Sequence, residues 1–154
     1  MNAFRKTLSA GAGGGAPGVL LLQHASTDRE AADALSRHLA GVNTNALHAV
    51  AMEKQGYASR LYNGEENLLR EAISVTRLGS LVVAEVSAQC AKKSSLDADL
   101  LTCDLTANAR KFDEHGNSAG TILARGTGAG FNQKDALELA AQRASAELIT
   151  LAKR

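Results

Sequence analysis

Three glycines alternate with larger residues late in the chain: Gly126, Gly128 and Gly130 in TILARGTGAGF, Thr121 to Phe131. All three share one parity of a strand. Glycine weakens a strand interior, so three on one face imply that something packs very close there or that the strand bends sharply. A helix laid against that face satisfies the first alternative. The following residues supply a helix. Asn132 is placed to cap it through the N–H of Asp135 or Lys134, and the charge of Asp135 suits a helix start. Ala136, Leu137, Ala140, Ala141, Ala144, Leu148 and Leu151 then recur at three- and four-residue steps, the pattern of a stripe that buries against a sheet. A stripe made mostly of alanine approaches its sheet closely. The glycine run is not a phosphate loop, because no Lys-Ser/Thr follows it and the spacing does not match a dinucleotide fingerprint.

Two strands precede this unit. In LVVAEVSAQCA, Leu81 to Ala91, residues Ala84, Val86, Ala88 and Cys90 share one parity and Glu85, Ser87 and Gln89 the other; period two with one solvated face is a half-buried strand. Lys92 to Asp99 reads as a turn or short loop. Leu100 to Phe112 alternates again, with Leu101, Cys103, Leu105, Ala107 and Ala109 inward. DEHGNSAG, Asp113 to Gly120, carries hairpin-turn chemistry, because Gly and Asn tolerate positive φ. The three strands form an antiparallel meander.

Cys90 and Cys103 are too far apart for a CxxC redox site. If the first hairpin turns about residues 96 and 97, they face each other directly. A non-hydrogen-bonded antiparallel pair has Cα atoms about 4.5 Å apart, near the lower end of what a disulfide permits. Such a bond closes a short loop worth about 3 kcal/mol and implies an oxidising compartment. The alternative is two buried thiols acting as small hydrophobes in the cytosol.

Earlier in the chain the signals change. Met1 to Gly18, dominated by Ala, Gly and Ser after Leu8, reads as a flexible lead-in. It lacks the long apolar run of an intact secretory signal; a native cytoplasmic start and a mature fragment given a new Met both fit. A single α/β domain is expected over 19–154. Val19 to Gln23 is a short buried strand. Thr27 with Glu30 makes a capping box for a helix whose apolar side is Ala31, Ala34, Leu35, His38 and Leu39, ending near Gly41. Val42 to Met52 fits a strand or a helical turn equally. Lys54 to Arg60 reads as a connection. After Asn63-Gly64, acidic Glu65 and Glu66 open a helix striped by Leu68, Leu69, Ala72, Ile73 and Thr76, which Gly79 ends. The element order is β-α-(β)-α-β-β-β-α, an α/β (α+β) fold with a mixed, mainly antiparallel sheet and packed helices.

Composition narrows the function. The 154 residues are 45% hydrophobic and 21% charged, which is globular. A net charge of +1, with three Phe and two Tyr, argues against a nucleic-acid binder. No apolar run is long enough to span a bilayer. His24, His38, His48 and His115 show no metal-ligand spacing, the acidic residues around the turns lack a calcium-loop pattern, and no serine sits in a nucleophile elbow. Neither a cofactor nor a metal is expected. One candidate ligand site remains, at the first strand–helix junction with His24 and Asp28, since strand ends in α/β folds often face a cleft.

ENLLREAISVTRLGSLVVAEVSA from Glu65, the polar hairpin through Phe112 to Asn117, and the glycine strand leading to an alanine-rich helix together resemble the small α/β domain of bacterial envelope accessory proteins. This class includes the amino-terminal domain of the Tol-system propeller protein, the periplasmic domain of the curli secretion lipoprotein and the lipoprotein activators of penicillin-binding proteins. The resemblance implies a non-enzymatic protein in the periplasm or cell envelope that binds other proteins; a cytoplasmic location is the alternative. The expected contact elements are the third strand of the meander, whose edge invites strand addition, and the hairpin with Arg110, Lys111, Asp113, Glu114 and His115. The competing functions are a small-molecule domain or enzyme around His24, and a structural subunit whose partner is itself.

Overall fold

A computed structural model describes residues 3–22, 26–39, 42, 46–48, 52, 54–95 and 98–154. In chain order the elements are β1 (Pro17–Leu22), α1 (Ser26–Arg37), α2 (Tyr57–Tyr62), α3 (Glu66–Thr76), β2 (Ser80–Ser95), β3 (Ala98–Phe112), β4 (Ser118–Gly130) and α4 (Gln133–Lys153). The four strands make one sheet in the order β1-β2-β3-β4. β1 runs parallel to β2, with Pro17 opposite Ser80; β2–β3 and β3–β4 are antiparallel. The mixed, mainly antiparallel sheet with packed helices is therefore as expected.

Both faces of the sheet are used, to different extents. On one face Val19, Val82, Ala84, Val86, Cys103, Leu105, Ala107, Ala109 and Ala124 pack against the apolar sides of α1 and α4. On the other, Leu20, Leu22, Leu81, Val83 and Phe112 pack against α2, α3 and the segment before β1. Consecutive strand residues face opposite sides, so Leu81 and Val82 enter different cores. The second cover stops after Val83 and Phe112. Farther along, that face carries the exposed polar residues Ser87, Gln89, Asp104, Asn108, Arg125 and Thr127.

The first core is thin because its residues are small. All seven residues of the expected α4 stripe are buried. Asn132 Oδ1 accepts the N–H of Asp135 at 2.8 Å, capping the helix as its sequence suggests. Beneath the helix lie the glycines: a Cβ on Gly126 would stand 1.9 Å from the carbonyl oxygen of Ala140, and one on Gly128 2.3 Å from that of Ala136. Close helix packing, rather than a sharp bend, accounts for the bare face.

Within the expected lead-in, Phe4 and Leu8 lie in the second core: Phe4 is 1% exposed, Arg5–Thr7 make a 3-10 turn, and Leu8 bridges Leu47. Glycine serves here for turns and close approach; Gly13 lies against the Thr76 carbonyl and Leu78 at distances that admit no Cβ. The expected connection Lys54–Arg60 instead contains the start of α2, whose Ala58 and Leu61 are buried. α3 ends at Thr76 and is capped by Arg77 in the left-handed region with φ 59°, rather than ended by Gly79; Gly79 is needed because a Cβ there would stand 2.4 Å from the Gly15 carbonyl. The loop expected over Lys92–Asp99 is mostly strand, since β2 continues to Ser95 and β3 begins at Ala98. Cross-strand pairing overrides the polar composition there. Most of Val42–Met52 lies outside the described residues.

Candidate interaction surface

The hairpin of β2 and β3 places Cys90 opposite Cys103, and the two form a disulfide with Cα atoms 4.1 Å apart. Both lie on the parity facing α4, but only Cys103 is buried; Cys90 is exposed. The bond sits at the margin of the first core, where the sheet extends past its helix.

Five residues at the other end of β3 were expected to form one surface. The structure separates them. Arg110 and Lys111 are consecutive in a strand, so their side chains leave opposite faces. Arg110 belongs to the second core's rim: its guanidinium lies 5.9 Å from the ring centre of Tyr62 and 5.3 Å from that of Phe112, and Nη1 donates to the Tyr62 carbonyl at 2.5 Å. Lys111 is only 7% exposed, and its Nζ donates to the main-chain oxygen of Arg154 at 2.6 Å. Asp113 shapes the turn. Its Oδ1 accepts the N–H groups of His115 and Asn117, both at 2.9 Å, and Gly116 takes φ 82°, a conformation that favours glycine. The Asn117 amide, followed by that of His115, holds the Asp113 carboxyl below its ordinary range. Glu114 and His115 are the two exposed members of the five.

β4 is an edge strand, as expected, but part of its edge is occupied. Glu147 Oε2 accepts the outward N–H of Arg125 at 3.3 Å. Arg143 Nη1 donates to the outward carbonyl of Thr127 at 2.6 Å. Arg143 and Glu147 stand four apart on α4, one turn above the other on the same side. In the sequence this pair is indistinguishable from an ordinary ion pair on a helix surface.

His24 lies outside the described residues, as does the side chain of Asp28. A groove of about 240 Å³ between α1 and α4 is lined by Glu30, Asp33, Ala34, Arg37, Lys134 and Leu137. Beside it, Glu138 binds His38 Nε2 at 2.6 Å and Arg37 Nε at 2.6 Å. The His38 bond, followed by the Arg37 bond, holds the Glu138 carboxyl below its ordinary range. His38 is thus a tie between helices. Elsewhere Ser9 Oγ and His48 Nε2 are 3.2 Å apart, but among the described residues no carboxylate joins them to orient the imidazole as a base. Among the described residues, no three His, Cys, Asp or Glu side chains are grouped to hold a metal ion, and no helix is long and apolar enough to cross a membrane.

No protein-family model matches the chain, and no curated protein matches it. Its fold is similar to that of the hypothetical protein CT253 from Chlamydia trachomatis, with a TM-score of 0.53 and 17% identity over 88% of this chain and 95% of that one. Two further solved structures show lower scores. A PelC dodecamer from Paraburkholderia phytofirmans gives 0.48 at 16% identity, over 96% of this chain and 95% of that one. Lipoprotein GNA1162 from Neisseria meningitidis gives 0.43 at 15% identity, over 90% and 99%. At these identities the likeness is one of fold.

Proposed function

We propose that this chain is a non-enzymatic protein-interaction or assembly-accessory domain that works in a bacterial cell envelope, on its periplasmic side. The observation that carries the reading is the Cys90–Cys103 disulfide between directly paired strands, because such bonds form and persist in oxidising compartments and are rare in the cytosol. The resemblance of the sequence to envelope accessory domains supports the same reading. The contact element is the turn after β3. Glu114 and His115 project from it, while Asp113 fixes its shape from within.

Intact mass after thiol alkylation without reductant, on protein taken from its native cells, tests the compartment. The expected chain is unalkylated and lighter by two hydrogens; two alkylated thiols would overturn the reading. Photo-crosslinking from position 114 in the same cells tests the contact. A discrete protein adduct is expected, and loss of any adduct in correctly oxidised protein would remove the turn as a contact element.

A further inference from the structure

We propose that Arg143 and Glu147 guard the β4 edge against a second copy of this chain, by occupying the backbone groups that its β4 would use. The proposal is independent of the partner that the turn after β3 recruits.

The reasoning starts from the parity of the strand. In an antiparallel pair each residue directs its N–H and C=O together, either into the ladder or away from it. The Arg125 N–H and the Thr127 carbonyl point away from β3, since side chains of α4 bind them. β4 pairs with β3 without irregularity from Thr121 to Gly130, so Thr121 and Leu123 share that outward parity. An edge of this length, regular and free of proline, is a template for strand addition.

A second copy fits this template in one favourable register. Two β4 strands related by a two-fold axis at Leu123 set Leu123 against Leu123 and Thr121 against Arg125. Leu123 is one of two large hydrophobic residues exposed among those described, at 44%, and this register covers it. An axis at Arg125 would set two guanidinium groups against each other, which is unfavourable. The favourable register needs the Arg125 N–H, which Glu147 holds. Extending it by one outward pair sets Thr127 against Ala119, at the irregularity that ends the regular ladder, and uses the Thr127 carbonyl, which Arg143 holds. The two bonds thus sit where the incoming strand would zip outward from its centre, and pairing at Leu123 alone is too short to persist.

The test is the double variant Arg143→Ala/Glu147→Ala. Both side chains are exposed on α4, and the change removes one charge of each sign, leaving the net charge at +1. Sedimentation equilibrium over a range of concentrations should show self-association at least about tenfold tighter than in the unmodified chain, because the two-fold axis recovers the Arg125 N–H bond twice, once from each copy. Amide hydrogen exchange at Leu123 should slow in the associated form. Adding Leu123→Lys to the double variant should return association to the starting value, because a lysine on an edge opposes pairing. Unchanged association, association without slower exchange at Leu123, or association that Leu123→Lys leaves intact would each overturn the proposal.

Discussion

Gly126 and Ala140 are in backbone contact: the glycine has no room for a side chain, since a Cβ would meet the Ala140 carbonyl oxygen at 1.9 Å. The nearest atoms belong to the main chain of a helix, so they cannot move aside as a rotamer would. Gly126→Ala must therefore lift α4 from the sheet. We expect a loss of about 3 kcal/mol or more by urea denaturation. Gly130→Ala is the control. Its Cβ would lie 3.0 Å from the Ala136 nitrogen and 3.1 Å from the Asp135 Cβ, near the end of the helix, and should cost about 1 kcal/mol or less, because replacing glycine also restricts the unfolded chain. Equal losses at the two positions would show that the helix does not seat on Gly126.

The disulfide spans a sequence separation of 13. Closing a loop of that size should contribute about 3 kcal/mol, mainly by restricting the unfolded chain. Cys90→Ala/Cys103→Ala should lose stability near that figure while keeping the far-ultraviolet circular dichroism of the parent. A midpoint that is the same with and without the bond would mean that the hairpin is held by its pairing alone.

Asp113 predicts a response to acid. Its folded carboxyl titrates below its ordinary range because the Asn117 and His115 amides bind the ionised form. A depressed folded value gives stability that is present above the unfolded pKa of about 3.9 and is lost as pH falls through the folded value. Nuclear magnetic resonance titration should find the Asp113 midpoint below that of a model aspartate. Asp113→Asn should remove this part of the acid-limb slope; an unaltered slope would show that the amides do not discriminate the ionised form.

Arg110 and Glu114 should behave as different kinds of residue. Arg110→Ala removes two ring contacts and a hydrogen bond to a carbonyl, for a loss of about 2 kcal/mol. Glu114→Ala lies on an exposed turn and should stay within about 0.5 kcal/mol, while lowering the adduct yield of a photo-probe placed at position 115. Comparable destabilisation by the two would contradict the division between core rim and contact surface.

The meander was legible because its signals agree at every level. The alternations around Cys90 and Cys103 place both cysteines inward, the turn centre sets them opposite, and the observed register pairs them. The glycine parity and the alanine stripe point to each other in the same way. Other parts were hidden by residues that do two jobs. Between Gly11 and Gly15 the composition is that of a linker, yet Gly13 is there because the chain passes against Thr76 and Leu78, and only the folded partner reveals that. Arg110, Lys111, Asp113 and Glu114 look like one charged patch in a string of letters. The pleat sends Arg110 to Tyr62 and Lys111 to Arg154, and the turn draws Asp113 inward. The edge contacts of Arg143 and Glu147 were illegible for a related reason, since helix spacing is silent about what lies beside the helix.

The single parallel pairing in the sheet has a consequence for the order in which the molecule is made. β3 and β4 each pair with the strand just before them in sequence, whereas Pro17 must wait for Ser80. Long closures are slow to form and local ones fast. A ribosome therefore delivers Leu20 and Leu22 well before Leu81 and Val83, their neighbours in the sheet. Of the four strands, β1 is made first and is the last to meet its partner. Until the later half has built its platform, those early apolar residues stay open to whatever else is nearby.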